Sequence, residues 1–432
     1  MSNILTVQDT SLTAIADEIR KKTGKTDKIK FPAGFVSEID SIQTGGGSAP
    51  AEDIEERDVN FFDYDGTLIA SYTEAEAKAL TTLPTPPEHS GLVFQGWNYT
   101  LEEVKANAEM ADVGALYTTD DGATRLEIEI ASESRKDMKI CFYQSKQSGV
   151  LIDWGDGNSE RSAAVAGDAC TSYAYEQPGR YTVTLTVDKD CEITLGANGS
   201  PLICTDYVET DGAAHNTLRN AYIGDRVTKF NKSAFLNHYA LHSISMNKGV
   251  IALGDRSFDS SSIEFIAIPS GIDTIPYNAF DTCRCLKSIS LPVSVQNLEQ
   301  NSIYQCDVLK RLNLKHITNP QTSAVAYDGV ISEISVNADI AYIPNDFCKA
   351  CLGLERISFL GKVKIFYSGA LSYCYNLKTV DLTHCSAVPT LQDTAILSHH
   401  GSDLKILVPA ALAEEWRQAT NWTQLAKYIK GV

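Results

Sequence analysis

Between Leu218 and Asp403 the chain repeats one short apolar pattern at a nearly fixed interval. In the copy that begins at Leu286, Ile289 and Leu291 follow at offsets 3 and 5. The same offsets carry Leu312 and Leu314 after Leu309, Ile334 and Val336 after Ile331, Ile357 and Phe359 after Leu354, and Val380 and Leu382 after Leu377. Earlier copies begin at Leu218, Leu241 and Ile263, so successive starts lie 22 or 23 residues apart. A period in the low twenties predicts a stacked solenoid, in which each turn buries its apolar side only against the turns before and after it. Such a fold offers a long continuous surface, and binding is the function to expect of it.

The rest of each repeat agrees with that architecture. Apolar residues return at offsets 9, 12, 16 and 17, as Ile272, Ile275, Ala279 and Phe280 do in the copy at 263. Cys283, Cys306, Cys351 and Cys374 share offset 20. A small residue at one phase of successive turns is a stacking position, and a free thiol packs there as a small hydrophobe. Cys348 and Cys351 have CxxC spacing without a second pair or a nearby His pair, so packing is the reading over metal, and reduced thiols are expected. The second half of the copy at 309 (Thr318-Asn-Pro-Gln-Thr-Ser-Ala-Val-Ala-Tyr327) departs from the pattern, and the copy at 377 is lengthened. Irregular turns are predicted at both. Leu404 to Pro409 reads as a last strand, and an amphipathic helix bearing Trp416 and Trp422 then closes the stack.

Upstream, the spacing changes three times. Residues 1–43 read as two short helices, the first capped by Ser11 with Leu12, Ile15 and Ile19 on one face, the second opened by Pro32. So short a unit needs a partner for its apolar face: a second copy, a larger assembly, or the rest of the chain. Residues 44–56, with Gly45-Gly-Gly-Ser-Ala-Pro50, read as a linker. Residues 57–115 alternate as strands around the Asp65-Gly66 turn. Residues 120–196 alternate again, with Leu126, Ile128 and Ile130 on one face.

Charge narrows the partners. Residues 44–217 carry 11 Lys and Arg against 31 Asp and Glu, whereas residues 218–432 carry 20 against 18, within a net charge of −18. An acidic middle without a basic face argues against nucleic acid and against an anionic membrane surface. No apolar run approaches the length of a membrane span, and the start of the sequence has no secretory pattern, so synthesis without export is expected. No Gly-x-Ser-x-Gly, His-Glu-x-x-His, Walker or dinucleotide motif is present. No enzyme activity, cofactor or metal site is expected. Binding candidates are instead sought at offsets 2 and 4 of each repeat, which point away from the core if 3 and 5 point in. Tyr222, Phe265, Arg311 and Arg356 stand out there, among mostly small polar residues, as the aromatic and arginine types that anchor interfaces.

Four stretches resemble known families. The pattern Leu286-Lys-Ser-Ile-Ser-Leu-Pro, with the later Phe and Cys of each repeat, resembles BspA-like leucine-rich repeats. Residues 86–97, ending Phe94-Gln-Gly-Trp97, resemble the Listeria–Bacteroides surface repeat, which implies a β-grasp-like module; Leu92 stands where an aromatic is usual. Trp154-Gly-Asp-Gly157 with Tyr175-Glu-Gln-Pro-Gly-Arg-Tyr181 resembles the immunoglobulin-like PKD domain. Ala16 to Phe35, with Ile-Arg-Lys-Lys-Thr-Gly and Phe-Pro, resembles the N-terminal segment of tail and baseplate proteins of phages infecting Firmicutes, and residues 408–422 resemble the end of such proteins. The expectation is a mainly β, multidomain virion tail protein. It would attach to other tail or baseplate proteins through residues 1–43, oligomerise (a trimer on grounds of tail symmetry), and bind a host surface protein or glycan through its solenoid at 218–403, capped by 404–432. A structural spacer and a bacterial cell-surface adhesin are the alternatives.

Overall fold

Strands and turns at residue 59 onward follow directly from local chemistry. In the computed structural model, residues 54–131, 136–197, 199–204, 217–337 and 340–432 are described. The helical unit, the oligomerisation expected of residues 1–43 and most of the linker lie outside them. β1 (Val59–Phe62) and β2 (Leu68–Tyr72) form an antiparallel hairpin. Its turn has Gly66 at φ +88°, and the Asp65 carboxylate accepts from the Thr67 N–H at 2.9 Å. Two Thr-x-x-Glu sequences then start helices by the same reciprocal cap, Thr73 with Glu76 for α1 (Glu74–Ala79) and Thr100 with Glu103 for α2 (Leu101–Ala106). β3 (Leu92–Trp97) and β4 (Ala111–Thr119) complete a four-stranded sheet of order β2-β1-β4-β3, in which β1 and β4 run parallel and both outer pairs antiparallel. Phe61, Val104 and Val113 fill the space between this sheet and the helices.

A two-layered β region follows. β5 (Thr124–Ile130), β7 (Val150–Asp153), β8 (Ser159–Arg161) and β10 (Gly179–Val187) lie in one sheet, and β6 (Asp137–Gln144), β9 (Gly167–Ala174), β11 (Ile193–Leu195) and β12 (Ile203–Cys204) in the other. Trp154 is fully buried and stacks on Tyr173 with centroids 4.4 Å apart, while the Tyr175 hydroxyl donates to its carbonyl at 2.9 Å. The turn after Trp154 needs Gly155: a Cβ there would sit 2.6 Å from the Thr182 carbonyl oxygen, at a φ of +78°. Cys141 and Cys170, opposite each other on β6 and β9, form a disulfide. This corrects the expectation of reduced thiols throughout: direct cross-strand neighbours bring two Cβ atoms within bridging reach.

Neither layer ends before the repeats begin. β13 (Leu218–Tyr222) pairs antiparallel with β5 and parallel with β15 (Ser243–Ser245), and β14 (Val227–Phe230) pairs parallel with β11. The first repeats are thus strands of the upstream sheets, and one apolar core runs from Phe62 to Ile429. Residues 55–432 form one compact unit.

From there the solenoid stacks by parallel pairing. Glu333, Arg356, Thr379 and Lys405 lie in one register column, and Leu312, Ile334, Ile357, Val380 and Ile406 in the buried column beside it. The rings of Phe235, Phe258 and Phe280 stack with centroids 5.1 and 5.3 Å apart. The offset-20 cysteines are fully buried, and each thiol faces a backbone carbonyl of an earlier turn, Cys283 that of Phe258 at 3.0 Å and Cys374 that of Cys348 at 3.0 Å. Each turn bends at two residues of positive φ, one column running Ser233, Arg256, Asn278, Asn301, Ser323, Asp346, the other Asn237, Ser260, Thr282, Gln305, Tyr327, Ala350, Tyr373.

The turn at 309 is not irregular, contrary to expectation. Asn319–Pro320 pairs with Asn297–Leu298, and Val325–Ala326 with Ile303–Tyr304, because these ladders use backbone groups and tolerate the change of side chains. The lengthened turn at 377 absorbs its extra residues in a 3-10 segment at Ala395–Leu397. At the end, Lys405–Val408, the short helix α3 (Ala413–Gln418), a 3-10 segment and a last strand Ile429–Gly431 close the core, with Trp416 and Trp422 buried edge to face at 4.6 Å.

Candidate functional site

The outward columns at offsets 2 and 4 have two different fates along the stack. From Tyr222 to Lys315 the four-stranded module of residues 59–119 covers them. The Asn98 side-chain amide donates to the carbonyl oxygens of Ile268 and Ser290 at 3.0 and 3.1 Å, and the Tyr99 hydroxyl donates to that of Leu291. Ser288 donates to the Asp112 carboxylate at 2.7 Å, and Ser290 to the Asp112 carbonyl at 2.5 Å. Asn313 donates to the Met110 carbonyl at 2.6 Å, and Lys315 pairs with Glu109 at 2.8 Å. Approach is close enough to require a glycine: a Cβ at Gly114 would lie 2.3 Å from that of Ala267.

Three of the four expected anchors fall inside this covered zone. Phe265 is only 2% exposed and packs against Phe62 with centroids 5.1 Å apart. Tyr222 is partly buried against Tyr64 at 5.9 Å. Arg311 donates to the backbone carbonyls of Arg57 and Asp58, the latter at 2.6 Å, and lies 3.6 Å from the Asp112 carboxylate. Their expected exposure to solvent is therefore corrected. The alternation does point them away from the solenoid core, and what lies outward is another part of the same chain. Arg356 differs: its turn is beyond the module, and it bridges Glu333 at 3.5 Å and Asp381 at 2.5 Å. The open stretch of this face carries Glu333, Ser335, Arg356, Thr379, Asp381 and Lys405.

Beside the covered zone sits a small aromatic and ionic cluster. The buried Asp63 carboxylate meets His89 Nε2 at 2.8 Å, under the rings of Tyr64 and Tyr117. Burial raises the Asp63 pKa, opposed by a backbone hydrogen bond from Tyr64 and by His89. Among the described residues no group of three or more His, Cys, Asp or Glu side chains is placed to hold a metal ion.

A second face of the stack bears a shallow groove that offsets 2 and 4 did not reveal. It occupies about 450 Å³ next to a further 230 Å³, the two sharing Asn319 and Thr322. Thr274, Asn297 and Asn319 pair in register across three turns and link through their side chains: Asn319 Nδ2 donates to Asn297 Oδ1, and Asn297 Nδ2 to Thr274 Oγ1, each at 3.2 Å. Gln321 Nε2 donates to Asn319 Oδ1 at 3.2 Å. Tyr277 flanks one end, Tyr342 and Tyr367 the other. The recurrence of amides at offset 10 or 11 in adjacent repeats was the available signal.

Comparison with known proteins bears on the repeats. A model described as the BspA type leucine rich repeat region matches residues 213–329 and 273–398, in six copies. Residues 213–398 are BspA-type leucine-rich repeats. No curated protein matches the chain. Among solved structures, a leucine rich cell surface protein from Faecalibacterium prausnitzii A2-165 is similar at 18% identity over 46% of this chain and 62% of that one, with a TM-score of 0.32. A leucine-rich repeat protein from Bacteroides ovatus ATCC 8483 is similar at 21% identity over 44% and 56%, with a TM-score of 0.31. The pneumococcal vaccine antigen PcpA is similar at 14% identity over 61% and 88%, with a TM-score of 0.28. The chain thus spans less than two thirds of the length of the first two. The module of residues 59–119 therefore lies across the near turns of the repeat array's strand face and leaves its distal turns open.

Proposed function

We propose that this protein is a non-catalytic adhesin of a phage tail, which binds the host surface through the distal part of its leucine-rich-repeat solenoid. The observation that carries the adhesive part is the unequal coverage of the stack. Turns up to Lys315 are held against the chain's own module, whereas the turns from Ile331 on and the groove at Tyr277 to Tyr367 face outward. The tail assignment rests on the resemblance of residues 16–35 and 408–422 to tail and baseplate proteins. In this reading residues 57–115 are a β-grasp-like repeat module and residues 120–196 a PKD-like spacer. Residues 1–43 join other tail proteins and assemble the chain, as a trimer. Several weak solenoid contacts per particle would then act together.

A second placement, a bacterial cell-surface adhesin of BspA type, is favoured by the repeat family itself. Flow cytometry of the labelled full chain on a panel of Gram-positive gut and dairy bacteria tests the adhesive function. Strain-selective binding is expected, and failure to bind any strain would turn the reading toward a structural spacer within the tail. Gold-labelled antibody separates the two placements: decoration of tail tips on particles supports the first, decoration of intact bacterial walls the second.

A further inference from the structure

We propose that the groove spanned by Tyr277, Asn297, Asn319 and Tyr342 is a binding site for a neutral oligosaccharide, a reading that rests on the adhesin function and names the chemistry of its ligand. Three features of the groove converge on that class. The first is hydrogen-bonding type. An amide side chain offers two N–H donors and a carbonyl with two lone pairs, and a sugar hydroxyl both donates and accepts, so the two match without any change of protonation. Internal bonds hold the ladder in place yet do not exhaust it. Asn319 uses one N–H on Asn297 and Gln321 uses one on Asn319, which leaves a second N–H on each and the Gln321 carbonyl oxygen for a ligand, and both residues are exposed. An amide preset by its neighbours loses little rotamer freedom when a ligand arrives.

The second feature is the pair of aromatic walls. Tyr277 and Tyr342 are 40% and 53% exposed, so their rings are open to a ligand lying in the groove. The C–H face of a pyranose carries slight positive charge and packs on the negative face of such a ring. Tyr277 and Tyr342 belong to turns three repeats apart, roughly 14 Å at the usual ~4.8 Å separation of paired strands. That is room for about three pyranose rings laid along the stack.

The third feature is charge. Of the residues lining the groove only Glu299 is ionisable to a carboxylate, and one of its oxygens already accepts the Tyr277 N–H at 2.9 Å. No Arg or Lys lines either part of the groove. A phosphate-rich wall polymer would meet the Glu299 charge with no cation to offset it, whereas a neutral glycan can donate a hydroxyl to the second oxygen. The groove is also too shallow and too polar for an apolar ligand, which would leave the amides desolvated without partners.

The test is calorimetric titration of the full chain with chitotetraose, maltotetraose, laminaritetraose and purified lipoteichoic acid, alongside cytometry on bacteria treated with periodate or with protease. Tyr342→Ala and Asn319→Ala alter exposed side chains, and unchanged melting curves would show that both fold. The expected result is saturable binding of a neutral sugar and not of lipoteichoic acid, weakened about tenfold by either substitution. Cell binding should fall in parallel and be lost after periodate. If cells bind both variants as well as the parent, or bind after periodate but not after protease, the groove assignment is overturned while the adhesin reading stands. If the parent binds no cells, the adhesin reading fails, and the absence of sugar binding in the titrations would overturn the groove with it.

Discussion

Ala350 holds its backbone at φ +55° in a corner column shared with Asn237, Ser260, Thr282, Gln305, Tyr327 and Tyr373. L-residues resist that conformation by on the order of 1–2 kcal/mol, because Cβ crowds the following carbonyl. Ala350→Gly, which elsewhere destabilises a chain by loosening its unfolded state, is therefore expected to be neutral or to stabilise by up to about 1 kcal/mol. Urea unfolding would show it, and a loss near 1 kcal/mol would contradict the strain assigned to the corner. His316 makes a different prediction. Both ring nitrogens are buried without a partner, and burial depresses its pKa to about 4, against a weaker opposing pull from Glu103. The unfolded chain takes up that proton near pH 6.5, so the stabilising effect of the neutral ring is whole above that value. It is lost as pH falls from about 6.5 toward 4, by up to on the order of 3 kcal/mol. In His316→Phe this part of the acid sensitivity should vanish, seen as a shallower decline of the urea midpoint between pH 7 and pH 4.5 than in the parent.

At the scale of elements, identical offsets in different turns should respond differently. Arg311 and Arg356 both occupy offset 2. Arg311 donates two charge-assisted bonds to carbonyls of the module, so Arg311→Ala should cost about 1–3 kcal/mol and raise amide exchange in β1 and β4. Arg356 stands in partly exposed ion pairs, so Arg356→Ala should cost about 0–1 kcal/mol and leave exchange in the module unchanged. Equal effects would show that the module does not rest on Arg311. The contrast also marks how far the sequence was legible. The solenoid could be read because its period is a one-dimensional signal: Ile334, Ile357 and Val380 recur at one offset because they stack in one column. The docking of the module could not, since nothing near Asn98 or Asp112 announces that its partners are Ser288 and Ser290, some 180 residues onward. A hint was present in Phe265 and Ala267, which interrupt a column of serines with apolar side chains. The groove is not legible at offsets 2 and 4, because Asn297, Asn319 and Tyr342 sit on the second strand of each repeat.

For the whole molecule, the decisive feature is the junction at β13. A solenoid's terminal turn exposes one side of its core unless something covers it. At the far end α3 and the strand Ile429–Gly431 do so. At the near end the cover is the two-layered β region, whose β5 and β11 pair directly with β13 and β14. The described residues of 120–204 are therefore the solenoid's near cap, and the chain cannot be divided at residue 217 into independent halves. A fragment of residues 217–432 loses the strands that pair with β13 and β14 and bares Leu218, Ala221 and Val227 to water, so it is expected to aggregate or to melt far below the full chain. A fragment of residues 120–432 keeps both caps. It loses residues 1–58 and the module, which takes Phe62 and Leu116 from the edge of the central core and uncovers Phe265, and it should unfold cooperatively as a monomer with a modestly lowered midpoint. Circular dichroism melts and size-exclusion chromatography of the two fragments distinguish these outcomes. Equal stability would mean that the β region merely abuts the repeats. The expected inequality would mean that any surface-binding assay on the solenoid must carry residues 120–216 with it.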